Sequence, residues 1–118
     1  MDGLLLQDLI TIRGAASAHV VQLARDWLDI GESEDVVFYT HVREVIGSAK
    51  LTLETSSVAD GSSFLPLVPT FSLAVGLRTD VVLASMAKVP PMRFVRWNLT
   101  GDGSPWDATL RIWVAAHG

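Results

Sequence analysis

The chain has 118 residues, a formal net charge of −4 and no cysteine. Its length favours one domain, and 49% hydrophobic against 19% charged residues is the composition of a folded domain at the apolar end of the range. The acidic balance and the lack of a basic cluster argue against nucleic acid or an anionic membrane as partner. The lack of cysteine excludes disulfides and thiolate chemistry.

The N-terminal segment alternates like a strand with one buried face. One parity carries four aliphatic residues, with Asp8 breaking the row: Leu4, Leu6, Ile10 and Ile12. Two interpretations stay open, since residues 1–13 form either an arm that adds a strand to a neighbouring protein or the first strand ahead of a sandwich domain at 14–118. The segment lacks the basic start of a signal peptide, and nothing in the chain has the length of a membrane span.

The middle of the chain contains short apolar segments separated by polar turns. Segment 18–30 fits a helix or one or two strands, although its β-branched pair favours strand. Further strands are predicted at 36–46, 49–55, 70–78 and 80–86, the last of them also compatible with a helical turn. Two of these segments show regular alternation, with inward parities predicted as Ala49, Leu51, Leu53 and Thr55, and as Phe71, Leu73, Val75 and Leu77. Pro66 and Pro69 indicate an edge strand or a connection, because proline cannot donate to a ladder.

The last two predicted strands, 93–100 and 108–116, are joined by a loop of Gly, Asp and Pro and are interpreted as a hairpin. One parity is apolar throughout and is predicted to lie in the core: Val95, Trp97, Leu99, Ala108, Leu110, Ile112 and Val114. Trp113 falls on the opposite parity and Trp106 in the loop. Each therefore either covers an end of the domain or faces a partner.

These segments make about eight short strands, with turn residues between them and no convincing helix. The pattern predicts an all-β fold in a single domain: an antiparallel β-sandwich, a jelly roll or a barrel.

No catalytic constellation stands out among the polar residues. His19, His41 and His117 are far apart and match no metal-binding spacing. The acidic run 26–35 lacks the order of an EF-hand loop and is interpreted as a solvated turn. The glycine-rich segment 101–105 leads into no helix, so it is interpreted as a loop rather than a phosphate site. The sequence thus predicts a non-enzymatic protein without cofactor, metal or small-molecule substrate.

Five stretches in a particular order suggest a class of protein: WLDIGESEDVVFYTHVREV, TLETS, DGSSF, VPPMRFVRWNLTG and WDATLRIWVAAHG. Over roughly residues 20–118 the chain resembles small all-β structural proteins of tailed-phage and prophage head modules. The resemblance implies a jelly-roll-like fold, commonly a homotrimer, that acts as a decoration or cement protein on the capsid surface. It implies the major capsid protein as partner, manufacture in the host bacterial cytoplasm, and no reaction.

The residues expected at a partner interface are three leucines and two tryptophans: Leu4, Leu5, Leu6, Trp106 and Trp113. Two alternatives stay open. One is a carbohydrate-binding β-sandwich module, in which Trp106 and Trp113 would be the stacking aromatics. The other is a tail or fibre component of a phage.

Overall fold

The computed structural model describes residues 3–16 and 18–117. Met1, Asp2, Ser17 and Gly118, which belong to the predicted segments 1–13 and 14–118, lie outside the described residues. Single turns of 3-10 helix occupy Ala24–Asp26 and Gly61–Ser63, and none of the helical turns in the described ranges is long and apolar enough to cross a membrane. The described chain contains nine strands: β1 (Gly3–Gly14), β2 (His19–Val21), β3 (Leu28–Asp29), β4 (Asp35–Ile46), β5 (Ala49–Ser56), β6 (Leu65–Ser72), β7 (Gly76–Leu83), β8 (Phe94–Gly101) and β9 (Trp106–His117).

The strands form two antiparallel sheets. Sheet A has the order β1-β9-β4-β7, and sheet B has the order β2-β8-β5-β6 with β3 also paired to β8. If β2 and β3 are counted as one interrupted strand, each sheet has four strands and the chain crosses between the sheets in the order of a jelly roll. The prediction of a single-domain, antiparallel, jelly-roll-like sandwich is confirmed.

The core lies between the two sheets and takes one parity of each strand. In β5, Ala49 is 1% exposed and both Leu51 and Leu53 are fully buried. The predicted inward residues of β8 and β9 are also buried, none of them more than 5% exposed: Val95, Trp97, Leu99, Ala108, Leu110, Ile112 and Val114. Removing such apolar area from water contributes about 25 cal/mol per Å², which makes this layer the main source of stability.

The prediction of a C-terminal hairpin is wrong. β8 pairs with β5 in sheet B, whereas β9 lies between β1 and β4 in sheet A. Residues 102–105 carry the chain from one sheet to the other, so the apolar faces of β8 and β9 meet across the core. Alternation specifies which face of a strand is buried and leaves its neighbour open.

The strand boundary predicted near residue 79 is also wrong. The chain leaves sheet B after Ser72 and enters sheet A at Gly76, which has a φ of 128°. The segment predicted as one strand, 70–78, is therefore split between two sheets. Pro66 and Pro69 lie in β6, the edge of sheet B, where a missing N–H is tolerated.

The N-terminal segment pairs with β9 inside its own chain. The ladder runs from Gly3 opposite Ala115 to Gly14 opposite Trp106, with register shifts on both sides of Gln7. Leu6 and Ile12 are buried, but Ile10 on the same parity is 41% exposed. β1 is the edge strand of sheet A, and an edge strand covers its side chains less completely than a central one does.

Trp106 fills a space that glycines leave open at one end of the sandwich. Its side chain is 2% exposed. A Cβ at Gly14 would overlap the indole ring, and a Cβ at Gly101 would lie 2.8 Å from the indole Nε1. Gly47, at a φ of 77° in the β4–β5 turn, would overlap the carbonyl of Pro105 if it carried a side chain. The position of Trp106 therefore depends on the absence of side chains around it.

Gly14→Ala is expected to lower the free energy of unfolding by about 1–3 kcal/mol, because the added methyl group overpacks against Trp106. Urea unfolding followed by tryptophan fluorescence measures this. Gly61→Ala is the matched control: its Cβ would meet its nearest heavy atom at 3.6 Å, so a change below about 0.5 kcal/mol is expected. Equal stability of Gly14→Ala and the original chain would contradict the packing described for Trp106.

Candidate functional site

The outer face of sheet A carries a largely apolar surface, interrupted by the exposed Thr79 of β7 opposite Tyr39. Leu5, Trp113 and Tyr39 lie side by side in the register of β1, β9 and β4. In the next row Val37 lies between Ala115 of β9 and Val81 of β7, which is 61% exposed. We call this surface the apolar face; its residues are Leu5, Val37, Tyr39, Leu77, Val81, Leu83, Trp113 and Ala115.

Trp113 lies at the centre of the apolar face. The guanidinium of Arg111, two residues away on the same side of β9, lies over its ring at 4.1 Å from the centroid. Such stacking fixes the orientation of the indole while leaving part of its surface open to solvent. Beside it Tyr39, Leu77 and Ala115 help to line a shallow depression of about 300 Å³.

The chemistry of the apolar face suits a protein partner better than a small ligand. Among the described side chains that line the depression, the polar groups are the Tyr39 hydroxyl and the indole N–H of Trp113. Small-molecule and sugar sites combine apolar walls with several converging hydrogen-bonding groups, which this surface lacks. Aromatic residues and arginine at a desolvated centre are instead typical of protein interfaces.

The outer face of sheet B is different around Glu54 and Arg96, where the chain's own loops cover it, whereas the Lys50 side chain on the same face is 43% exposed. Glu54 and Arg96 form an ion pair there at 2.8 Å, and they are 9% and 8% exposed. Arg96 also donates to the carbonyl of Gly61 at 3.2 Å and lies over the ring of Phe64 at 4.0 Å. Trp27 packs edge-on against Phe64 at 4.7 Å. A buried pair needs such additional partners to offset its desolvation.

The structure separates the five residues predicted for a partner interface. Leu5, 45% exposed, and Trp113, half-buried, are neighbours on the apolar face. Leu4 is half-buried and packs against the core. Leu6 and Trp106 are only 3% and 2% exposed, which does not fit a partner-facing role. Alternation turns Leu6 inward, and the surrounding glycines admit Trp106 to the core.

Sequence reasoning missed the contribution of β7 to this surface. Leu77 was predicted to face inward with Phe71, but it lies on the outer face of sheet A and is 64% exposed. The crossover between Ser72 and Gly76 resets the parity. The glycine itself was the available signal, since an isolated glycine in a strand pattern indicates an irregularity or a bend.

Acidic residues of the run 26–35 accept hydrogen bonds that hold neighbouring segments of the fold together. Arg93 donates to Asp29 at 3.0 Å, and this bond together with the backbone N–H of Gly31 lowers the pKa of the Asp29 carboxyl. Asp35 accepts from the backbone N–H of Ala84 at 3.2 Å. Within residues 3–16 and 18–117, no group of three or more His, Asp or Glu side chains is placed to hold a metal ion.

No protein-family model matches the chain, and no curated protein sequence matches it. Among solved structures, a chain of infectious bursal disease virus, Gx strain, matches 99% of this chain with a TM-score of 0.52 and 12% identity. This chain spans about a third (33%) of the length of that viral chain. A chain of Bacillus endospore appendages, a family of disulfide-linked pili, matches 100% of this chain and 93% of its own length, with a TM-score of 0.40 and 16% identity. At 12% identity the viral likeness concerns the fold.

The two tryptophans of β9 are expected to respond differently to truncation. Trp106→Ala removes a fully buried indole and should cost about 3–5 kcal/mol of unfolding free energy. Trp113→Ala removes a half-buried indole stacked on Arg111 and should cost about 1 kcal/mol. Denaturant unfolding followed by circular dichroism measures both variants. Similar losses for the two would place Trp113 in the stabilising core and contradict its assignment to an open surface.

Proposed function

We propose that the chain is a non-enzymatic structural protein of a virus particle, and more specifically a decoration or cement protein on the outer surface of a tailed-phage capsid. The observation that carries the proposal is the uncovered apolar face on sheet A of a jelly roll. The resemblance of its sequence stretches, in their order, to phage head-module proteins supports the finer assignment. A fold similar to that of a chain of infectious bursal disease virus supports the coarser assignment to a virus particle.

The two outer faces of the sandwich support a role in assembly. Around Glu54 and Arg96, loops of the chain itself close over sheet B. On sheet A, Leu5 and Val81 remain 45% and 61% exposed beside the half-buried Trp113. Exposed apolar side chains that cluster on one face of a small domain are typical of a place where another molecule binds.

In this proposal the partner is the major capsid protein, and Trp113 is the central anchor of the contact. Tryptophan and arginine are the residues that most often dominate the binding energy of an interface, and here Arg111 holds the Trp113 ring in place. The protein would be made in the host bacterial cytoplasm and located on the virion. The homotrimer implied by the resemblance remains a prediction.

A carbohydrate-binding module and a phage tail or fibre component are the alternatives. The neighbouring rings of Trp113 and Tyr39 favour the first, because aromatic faces stack on sugars. The shortage of polar groups around them favours a protein partner instead. A tail or fibre role uses the same apolar face with a different virion protein.

Binding to capsid shells tests the proposal. The purified chain is expected to co-sediment saturably with shells of the major capsid protein from the same phage and to raise their disassembly temperature. Trp113→Ser should weaken binding about tenfold or more, since it removes the anchor of the interface. Val58→Ser is the matched control, because Val58 is 50% exposed but lies outside the apolar face.

Failure to co-sediment, or equal weakening by Trp113→Ser and Val58→Ser, would contradict the proposed capsid contact. A glycan array run with the same two variants separates the alternatives. Sugar binding that depends on Trp113 would assign the chain to carbohydrate recognition. Binding to tail or fibre proteins in place of shells would move it elsewhere in the virion.

A further inference from the structure

The four free edges of the two sheets differ in how well they are protected against pairing with a strand of another chain. β6 carries Pro66 and Pro69 and has register shifts against β5. The opposite edge of sheet B is divided into the short strands β2 and β3. β1 has register shifts on both sides of Gln7. Prolines, interruptions and bulges all hinder pairing with another chain.

β7 has none of these devices. It is an eight-residue strand at the end of sheet A, and its described pairing with β4 runs from Gly76 to Leu83 without a register shift. The four most exposed large apolar side chains of the described residues belong to β7 or flank it: Met86 at 80%, Val75 at 67%, Leu77 at 64% and Val81 at 61%. An open and regular edge that carries exposed apolar side chains is a template for adding a strand.

We propose that β7 pairs antiparallel with β7 of a second copy of this chain, about a two-fold axis at Thr79. Sheet A of each copy then continues into the other, as one sheet of eight strands. The inference goes beyond the proposed function and does not depend on it. It also describes a different assembly from the trimer that the resemblance implies.

The charges of β7 are complementary in this register. With the axis at Thr79, Arg78 lies opposite the partner's Asp80, and Leu77 lies opposite the partner's Val81. Within one chain Arg78 already donates to Asp80 at 2.9 and 3.1 Å. The Arg78 side chain is 47% exposed and can turn toward the open edge, whereas the Asp80 side chain is 15% exposed and is held by Arg78. Across the axis each guanidinium gains a second carboxylate.

Neighbouring registers are excluded by the same charges. Paired residues must face the same side of the sheet, so the two-fold axis must pass through a residue rather than between two. An axis at Arg78 would place that residue opposite its own copy, and an axis at Asp80 would do the same for the carboxylate. Like charges directly opposite each other are destabilising. Of these three positions near the middle of β7, Thr79 is therefore the one at which a two-fold axis brings no like charges opposite each other.

Solution mass is the first test, measured by light scattering over a range of protein concentrations. The expected mass is twice the 12.8 kDa of the chain. Thr79→Lys should halve it, because two lysines would meet at the axis, and Thr79 is exposed enough for the change to leave the fold intact. Thr11→Lys is the matched control: Thr11 is exposed on β1, the opposite edge of sheet A, and this variant should remain a dimer.

A charge exchange tests the register. Arg78→Asp and Asp80→Arg should each be monomeric, because each places like charges opposite one another. Mixed together they should form a heterodimer, since the acidic strand of one then faces the basic strand of the other. The double variant carrying both changes should dimerise again. Circular dichroism verifies that each variant is folded. If either single variant is unfolded, the mass of Thr79→Lys tests self-pairing in its place.

A monomer or a trimer of the unmodified chain would overturn the proposal, as would a dimer that survives Thr79→Lys. Continued absence of pairing in the mixture of Arg78→Asp with Asp80→Arg would overturn the register. A chain that stays monomeric until the capsid protein is added would assign the edge to that protein and would also overturn self-pairing. Because mass is measured without shells and shell binding by sedimentation, failure of this inference is distinguishable from failure of the proposed capsid role.

Discussion

The burial of β9 between β1 and β4 is the constraint on which the rest of the molecule depends. Its inward side chains Ala108, Leu110, Ile112 and Val114 are fully buried against sheet B, and its register with β1 and β4 aligns both neighbours. That register also determines the outer surface, because it brings Leu5 and Tyr39 to either side of Trp113. The core and the candidate site are thus two faces of one strand.

The two outer faces show how differently a small sandwich can treat its exposed sheets. Near Arg96 the chain uses Trp27, Phe64 and a loop carbonyl to seal a charged pair away from water. On sheet A no described loop covers the row through Trp113, and the surface stays apolar. Around Arg96 the first face is covered by the chain itself, whereas the second leaves Leu5 and Val81 exposed. This difference, more than any single residue, is the basis for proposing an assembly function.

The sequence predicted burial well and connectivity poorly. The inward positions of β5, such as Leu51 and Leu53, follow from alternation alone, because that pattern depends only on the strand itself. The pairing of β8 and β9 could not be predicted, since two apolar strands in succession meet equally well within a sheet or across a core. Trp106 was misplaced for a related reason: its burial depends on Gly14 and Gly101, which are distant in sequence and become its neighbours only in the fold.

The order of the strands has a consequence for folding. β9 follows both strands that it pairs with, and Gly3 lies opposite Ala115, so the ladder joins segments from the two ends of the described chain. During synthesis the adjacent edges of β1 and β4 have no partner until β9 has emerged from the ribosome. Pairings of such large sequence separation are slow to form. Fragments ending before Trp106 would therefore expose two additional strand edges, and we expect them to aggregate rather than to fold.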